Sequence, residues 1–200
     1  MTPQTQIYRN RLGQCLAIFK TRWGWASVAA SPLGVCALRL PESSRSRLEA
    51  SLRRDHLLDG TLGGTGAGTE SGAALRHLKA AQASLVRYLA GDRLPLRLTL
   101  DAAGGTPFQQ AVWRALQRIP YGAVRSYGWV AQAIGRPHAS RAVGGACGAN
   151  PVPILVPCHR VVAGNGSLGG FSCGLDAKER LLKLEGSWAQ VRPKKKPARR

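Results

Sequence analysis

The pentapeptide Asp101–Gly105 (DAAGG) restricts this chain most, because a strong helix start follows it at once. Thr106 offers an N-cap hydroxyl, Pro107 suits the first helical position because its missing N–H is not needed there, and Gln109 stands three residues after the cap, as in a capping box. A stretch of small residues directly before a fixed helix N-terminus predicts a domain boundary. The expected organisation is a domain over 1–100, a linker over 101–105, a second domain over 106–190 and a basic tail over 191–200.

Before the boundary, short β-like runs at Leu16–Lys20, Trp25–Ala29 and Gly34–Leu40 precede a polar Arg/Glu/Ser segment from Pro41 to Asp59. Gly60–Gly72 (GTLGGTGAGTESG) is glycine-rich with almost nothing apolar, which predicts a flexible loop, and it lacks the GKS/GKT ending of a phosphate-cradling loop. Leu75, Leu78, Ala81, Leu85 and Leu89 recur at three- and four-residue spacing and predict a helix over Ala73–Leu89 that Gly91 can stop. Leu94–Leu100 alternates leucine with other residues, the pattern of a half-buried strand.

After the boundary, Phe108, Ala111, Val112, Ala115, Leu116 and Ile119 form one helical stripe ending at Pro120-Tyr121-Gly122. A helical segment Ser126–Ile134, a break at Gly135-Arg136-Pro137 and a second helix Ser140–Gly148 have the order of a helix-turn-helix. The second helix carries Ala142, Gly144, Gly145, Ala146 and Gly148, although each glycine costs roughly 1 kcal/mol of helix propensity relative to alanine. Two readings remain open: tight packing on a neighbouring helix, or a backbone exposed to another surface with Arg141 projecting from it.

Charge narrows the partner. Lysine and arginine number 29 against 10 acids, a net charge of +19 on 21.3 kDa, which favours a polyanion. The excess runs along both halves as well as the tail. Apolar residues make up 44% of the chain, yet no run approaches the roughly 18–20 apolar residues that span a bilayer, so no membrane partner is expected. The residues after Met1 (TPQTQIYRNR) lack the pattern of a secretory signal, which predicts a cytoplasmic protein. Five cysteines without a CxxC pair predict free thiols, and a zinc site drawing on Cys15, Cys36 and His56 or His77 would lack close ligand pairs. No cofactor or metal is expected.

Asn150–Val162 (NPVPILVPCHRVV) sets Cys158 beside His159 after prolines and an apolar run. A thiolate is the nucleophilic form of cysteine, and a nearby imidazole is a common means of generating it. Neighbours in extended chain point apart, so a turn or a bridging water must connect the two side chains. Alone, a Cys-His dipeptide is weak evidence, since a buried structural cysteine beside a satisfied histidine is the commoner case.

The segments GTPFQQAVW, IPYGAVRSY, RAVGGACGANPVPILVPCHRVV and LLKLEG, in that order and spacing, resemble the O6-alkylguanine-DNA alkyltransferase family, with PCHRV at Pro157–Val161 as the signature. The resemblance is strong over roughly residues 106–186 and covers 1–105 only in general layout. It implies an α+β protein: a small N-terminal α/β domain, ribonuclease H-like, with a short β-sheet, then a mainly helical C-terminal domain whose helix-turn-helix is winged-helix-like. It further implies direct-reversal DNA repair, a stoichiometric and irreversible transfer of the alkyl group from O6-alkylguanine, and from O4-alkylthymine, to Cys158.

By that resemblance His159 deprotonates Cys158 through a water, Glu185 orients the imidazole, Asn150 braces the turn and Tyr127 donates a proton to the departing guanine. Pro153, Val161, Phe171 and Ser172 match pocket positions. Arg141, Ala142, Gly145 and Ser126 match DNA-contacting positions, Arg141 being the residue that fills the space left by a flipped base. The implied partner is double-stranded DNA carrying the lesion, bound through the minor groove by a monomer, with cooperative binding left open. Cys173 stands where the family commonly has glycine. A lesion binder without transfer lacks the acceptor cysteine, and an operator-reading regulator is the other alternative to be weighed.

Overall fold

The computed structural model describes residues 5–9, 13–58, 72–93, 97–101 and 104–191, and the chain divides into two compact units, Met1–Gly104 and Gly105–Arg200. Most of the glycine-rich run Gly60–Gly72, two residues of the linker and the basic tail after Val191 lie outside the described residues.

The first unit is built on an antiparallel sheet in the order β1 (Thr5–Arg9), β2 (Cys15–Thr21), β3 (Gly24–Ser31) and β4 (Gly34–Glu42). Side chains alternate across a strand, so β2 sends Leu16 and Ile18 one way and Cys15, Ala17 and Phe19 the other, and all five are buried. Leu16 and Ile18 pack with Ala29 and Ala37 against Leu48 and Leu52 of α1 (Arg45–Arg54). Helix α2 (Gly72–Ala90) lies along β2 and β3 and buries Leu78, Ala81, Leu85 and Leu89, part of the stripe legible in the sequence.

Helix α1 is not legible in sequence, since only Leu48 and Leu52 are buried in ten residues. It forms because Ser44 Oγ accepts from Arg47 N and Arg45 pairs with Glu49 one turn on. The strand expected over Leu94–Leu100 is replaced by an isolated bridge between Val35 and Leu100. Residues 94–96 lie outside the described residues, and Val35 exchanges backbone hydrogen bonds of 2.9 Å with Thr99 O and Asp101 N.

In the second unit α3 (Pro107–Leu116) begins with the full capping box: Gln109 N donates to Thr106 Oγ1 at 3.3 Å and Thr106 N to Gln109 Oε1 at 2.8 Å. The two-residue strand β5 (Arg125–Ser126) leads into α4 (Tyr127–Ala133), capped by Ser126 Oγ, and a turn through Gly135 at φ +70° leads to α5 (Ser140–Gly148). Helices α3, α4 and α5 pack on one another, and Trp113 Nε1 donates to Ala146 O at 2.9 Å, fixing α5 to α3. After a 3₁₀ turn at Cys158–Arg160, β6 (Val161–Val162) pairs parallel with β5, and α6 (Leu175–Leu184) completes the unit.

Architecturally the chain is a mixed α/β protein, an antiparallel sheet with helices followed by a largely helical unit.

Candidate active site

Prolines at 151, 153 and 157 keep the segment before Cys158 out of helix, and its apolar residues Val152, Ile154, Leu155 and Val156 are buried. Ile154 sits at φ +74°, where a β-branched residue is strained, so the surroundings hold this loop in shape. Asn150 supplies much of the hold. Its Oδ1 accepts from Val152 N at 3.1 Å, and its Nδ2 donates to Val156 O at 2.8 Å and to Cys158 Sγ at 3.1 Å.

Cys158 and His159 therefore lie on a tight 3₁₀ turn rather than on extended chain, and no direct bond joins them. Burial pushes the Cys158 thiol up to about 11, against the opposing pull of the Asn150 hydrogen bond, so the resting thiol is protonated at neutral pH. His159 is fully buried, and its Nε2 lies 3.0 Å from Glu185 Oε1. Burial lowers the imidazole below its ordinary value despite that carboxylate. Its Nδ1 is buried without a hydrogen-bond partner. With the ring neutral, Nε2–H donates to Glu185 and Nδ1 keeps a lone pair able to receive a proton.

Glu185 is itself held by Arg160, through Nε at 2.8 Å and Nη2 at 2.7 Å. Burial alone would raise the Glu185 carboxyl, but hydrogen bonds from His159 and Arg160 bring it down to about 2. Arg160 also donates to Ile119 O at 2.7 Å and lies over the Tyr121 ring. The adjacent Arg160 was not among the residues singled out by sequence, though the same signature pentapeptide contains it.

Cys158 lines a cleft of about 630 Å³, together with Ser126, Tyr127, Arg141, Phe171 and Ser172, all named from sequence. Cys147, Gly144 and Gly148 of α5 line it too. Tyr127 O–H donates to Gly170 O at 3.3 Å, and Gly169, at φ +69°, comes so near the phenol that an added Cβ would stand 3.0 Å from the ring. Pro153 and Val161 are buried in the stretch around Cys158, where Pro153 bridges to Val156 and Val161 pairs with Arg125. On α5, Arg141, Ala142, Gly145 and Gly148 are exposed, and an added Cβ at Gly145 or Gly148 would meet nothing within 4 Å. Packing inside the protein does not require glycine at those two positions, which favours the reading of a backbone exposed to another surface.

Lys178 escaped sequence reading because a lysine in a charged helix looks like a solvated one. It is fully buried, and its ammonium donates to Val161 O at 2.5 Å, Leu168 O at 2.6 Å and Gly170 O at 3.1 Å. Burial lowers it to about 8. Its charge in turn pulls down the thiols of Cys158 and Cys147, the latter being pushed up by burial to about 12. Among the described residues no three His, Cys, Asp or Glu side chains converge to hold a metal, and Cys15, Cys36, Cys147, Cys158 and Cys173 are free thiols.

Fold and site together define a helix-turn-helix protein with a buried cysteine, coupled to a buried His-Glu-Arg cluster, on the floor of a cleft beside the second helix. The family model for the DNA-binding domain of 6-O-methylguanine DNA methyltransferase matches residues 107–187. A methylated-DNA–protein-cysteine methyltransferase of Methanosarcina acetivorans is 54% identical over 107 residues, 54% of this chain and 68% of that protein. One from Salmonella typhimurium is 52% identical over 102 residues, 51% of this chain and 60% of that relative. The crystal structure of Mycobacterium tuberculosis OGT in complex with DNA superposes with a TM-score of 0.65 at 35% identity, covering 88% of this chain and 94% of that one. The chain belongs to the methylated-DNA–protein-cysteine methyltransferase family, DNA-binding transferases of DNA repair.

Proposed function

We propose that the chain removes the alkyl group from O6-alkylguanine in duplex DNA, and from O4-alkylthymine, onto Cys158, once per polypeptide. The observation that carries this reading is Cys158 Sγ, held by Asn150 on the floor of a cleft that Tyr127 and Arg141 also line. In the proposed step the thiol proton passes through a water to His159 Nδ1, and the thiolate attacks the alkyl carbon. The carbon–O6 bond breaks, its electron pair stays with the purine, and Tyr127 supplies a proton to the base, helped by backbone N–H groups near Ser172. Glu185, ionised and fixed by Arg160, stabilises the imidazolium that forms. The thioether product has no good leaving group, so the thiol is not regenerated.

A base stacked in a duplex cannot reach a buried sulfur, so the nucleotide is rotated out. Arg141 takes its place, and the exposed small residues Ala142, Gly145 and Gly148 let α5 enter the minor groove with contacts mainly to the backbone. The proposed protein is a cytoplasmic monomer. Its first unit is read as ribonuclease H-like and its second as winged-helix-like, readings that the four-stranded sheet with its helices and the β5–β6 pair support.

The test is to mix the protein with a duplex carrying O6-methylguanine and weigh the Cys158 peptide. The expected result is a gain of one methyl, with total transfer reaching a plateau at one per chain. Turnover beyond that plateau, or an unchanged peptide with lesion binding retained, would refute the proposal.

A further inference from the structure

Arg125 is exposed on β5, next to the cleft residue Ser126, and its strand pairs with Val161, three residues after Cys158. Its guanidinium lies over the Trp129 ring at 5.5 Å from the centroid, and its Nη1 donates to Val124 O at 2.9 Å. Among the described residues it has no carboxylate partner. Stacking on an aromatic face and a bond to a backbone carbonyl hold the group in one orientation, with its other N–H donors left for a ligand. Arg141, by contrast, makes no hydrogen bond or ion pair with a described residue, which suits a side chain that must move.

The geometry points to Arg125, fixed by Trp129, as a preorganised contact for a backbone phosphate of the DNA flanking the extruded nucleotide. This rests on the reading proposed above and adds a partner contact to it. A planar fork matches two phosphate oxygens, and prior immobilisation removes much of the ordering cost of binding. The position suits such a contact, since β5 leads directly into α4 and a phosphate held at Arg125 fixes the strand at the edge of the cleft. The net charge of +19 supplies the long-range attraction, and this residue supplies register.

The test measures duplex affinity across salt concentrations for the full chain and for Arg125→Ala, Arg125→Lys and Trp129→Phe, alongside alkyl transfer from free O6-benzylguanine base. Arg125→Ala is expected to weaken duplex binding about ten-fold at low salt and to reduce the log–log salt slope by about one. Arg125→Lys should keep the slope but lose part of the affinity, because an ammonium keeps the charge without the stacked fork. Trp129→Phe, with the charge intact and an aromatic face retained, should keep the slope and most of the affinity. All three should react with the free base at the rate of the unaltered protein. An unchanged slope and affinity in Arg125→Ala, with transfer to Cys158 intact, would overturn the phosphate contact alone. Absence of transfer in every protein, the unaltered one included, would instead overturn the functional reading.

Discussion

At the scale of single residues, the site works through burial that raises the cost of charge and hydrogen bonds that decide where charge is allowed. Cys158 rests protonated, His159 rests neutral, and Glu185 is ionised because Arg160 and His159 share its oxygens. Replacing Asn150 with alanine removes the donor to sulfur and leaves Val156 O without that bond in a buried loop. It should cost about 1–3 kcal/mol of stability, read by denaturant melts, and slow transfer as well. Cys158→Ser should abolish transfer while lesion binding, read by gel shift, persists. Glu185 also sets an acid limit. Its carboxyl titrates near 4.5 when unfolded and at about 2 when folded, so between those values the unfolded chain binds the extra proton and stability falls as pH drops. Thermal melts should show that slope, and Glu185→Gln should flatten it. Lys178 gives a slope of the same sign at alkaline pH: its folded value of about 8 against 10.5 means that stability rises with pH across that interval, a dependence that Lys178→Met should remove.

At the scale of elements, α5 pairs a weak intrinsic helix with strong external anchoring. No side chain caps its N-terminus, yet Trp113 holds Ala146, the neighbouring helices α3 and α4 pack against it, and Val143 and Ala146 are buried. Since open space surrounds Gly145, Gly145→Ala should stabilise the protein by up to about 1 kcal/mol. Gly145→Leu should leave the melting temperature intact but slow reaction with duplex DNA relative to free base. Equal rates on both substrates would remove α5 from the DNA-facing surface. In the first unit the sheet is covered by α1 on the Leu16 and Ile18 face, and β2 is buried on both faces, which explains why its five residues read as one apolar run instead of an alternation.

At the scale of the whole molecule, the excess of positive charge makes DNA binding a counterion-release process. Duplex affinity should fall linearly in log–log form with salt, by about 0.9 per phosphate contact, whatever the sequence of the duplex. A salt-independent affinity would contradict a backbone-dominated interface, and strong preference for one sequence would favour an operator reader.

What the sequence determined by itself was local: the capping box at Thr106–Gln109, the stripe of α2, the two helices around Gly135 and the Cys158-His159 signature all depend on residues near one another in the chain. The family resemblance added Ser126, Tyr127, Arg141, Phe171 and Ser172, which the fold gathers around one cleft with Cys158. The tertiary structure decided everything that depends on distant neighbours. Helix α1, capped locally by Ser44, is held in place by Leu48 and Leu52 packing on the sheet, and among the described residues of the expected strand at Leu94–Leu100 one bridge forms, between Leu100 and Val35. Arg160 and Lys178 become parts of the site because burial beside Glu185 and beside three carbonyls changes what a cation can do, and burial is not written in any short stretch of chain.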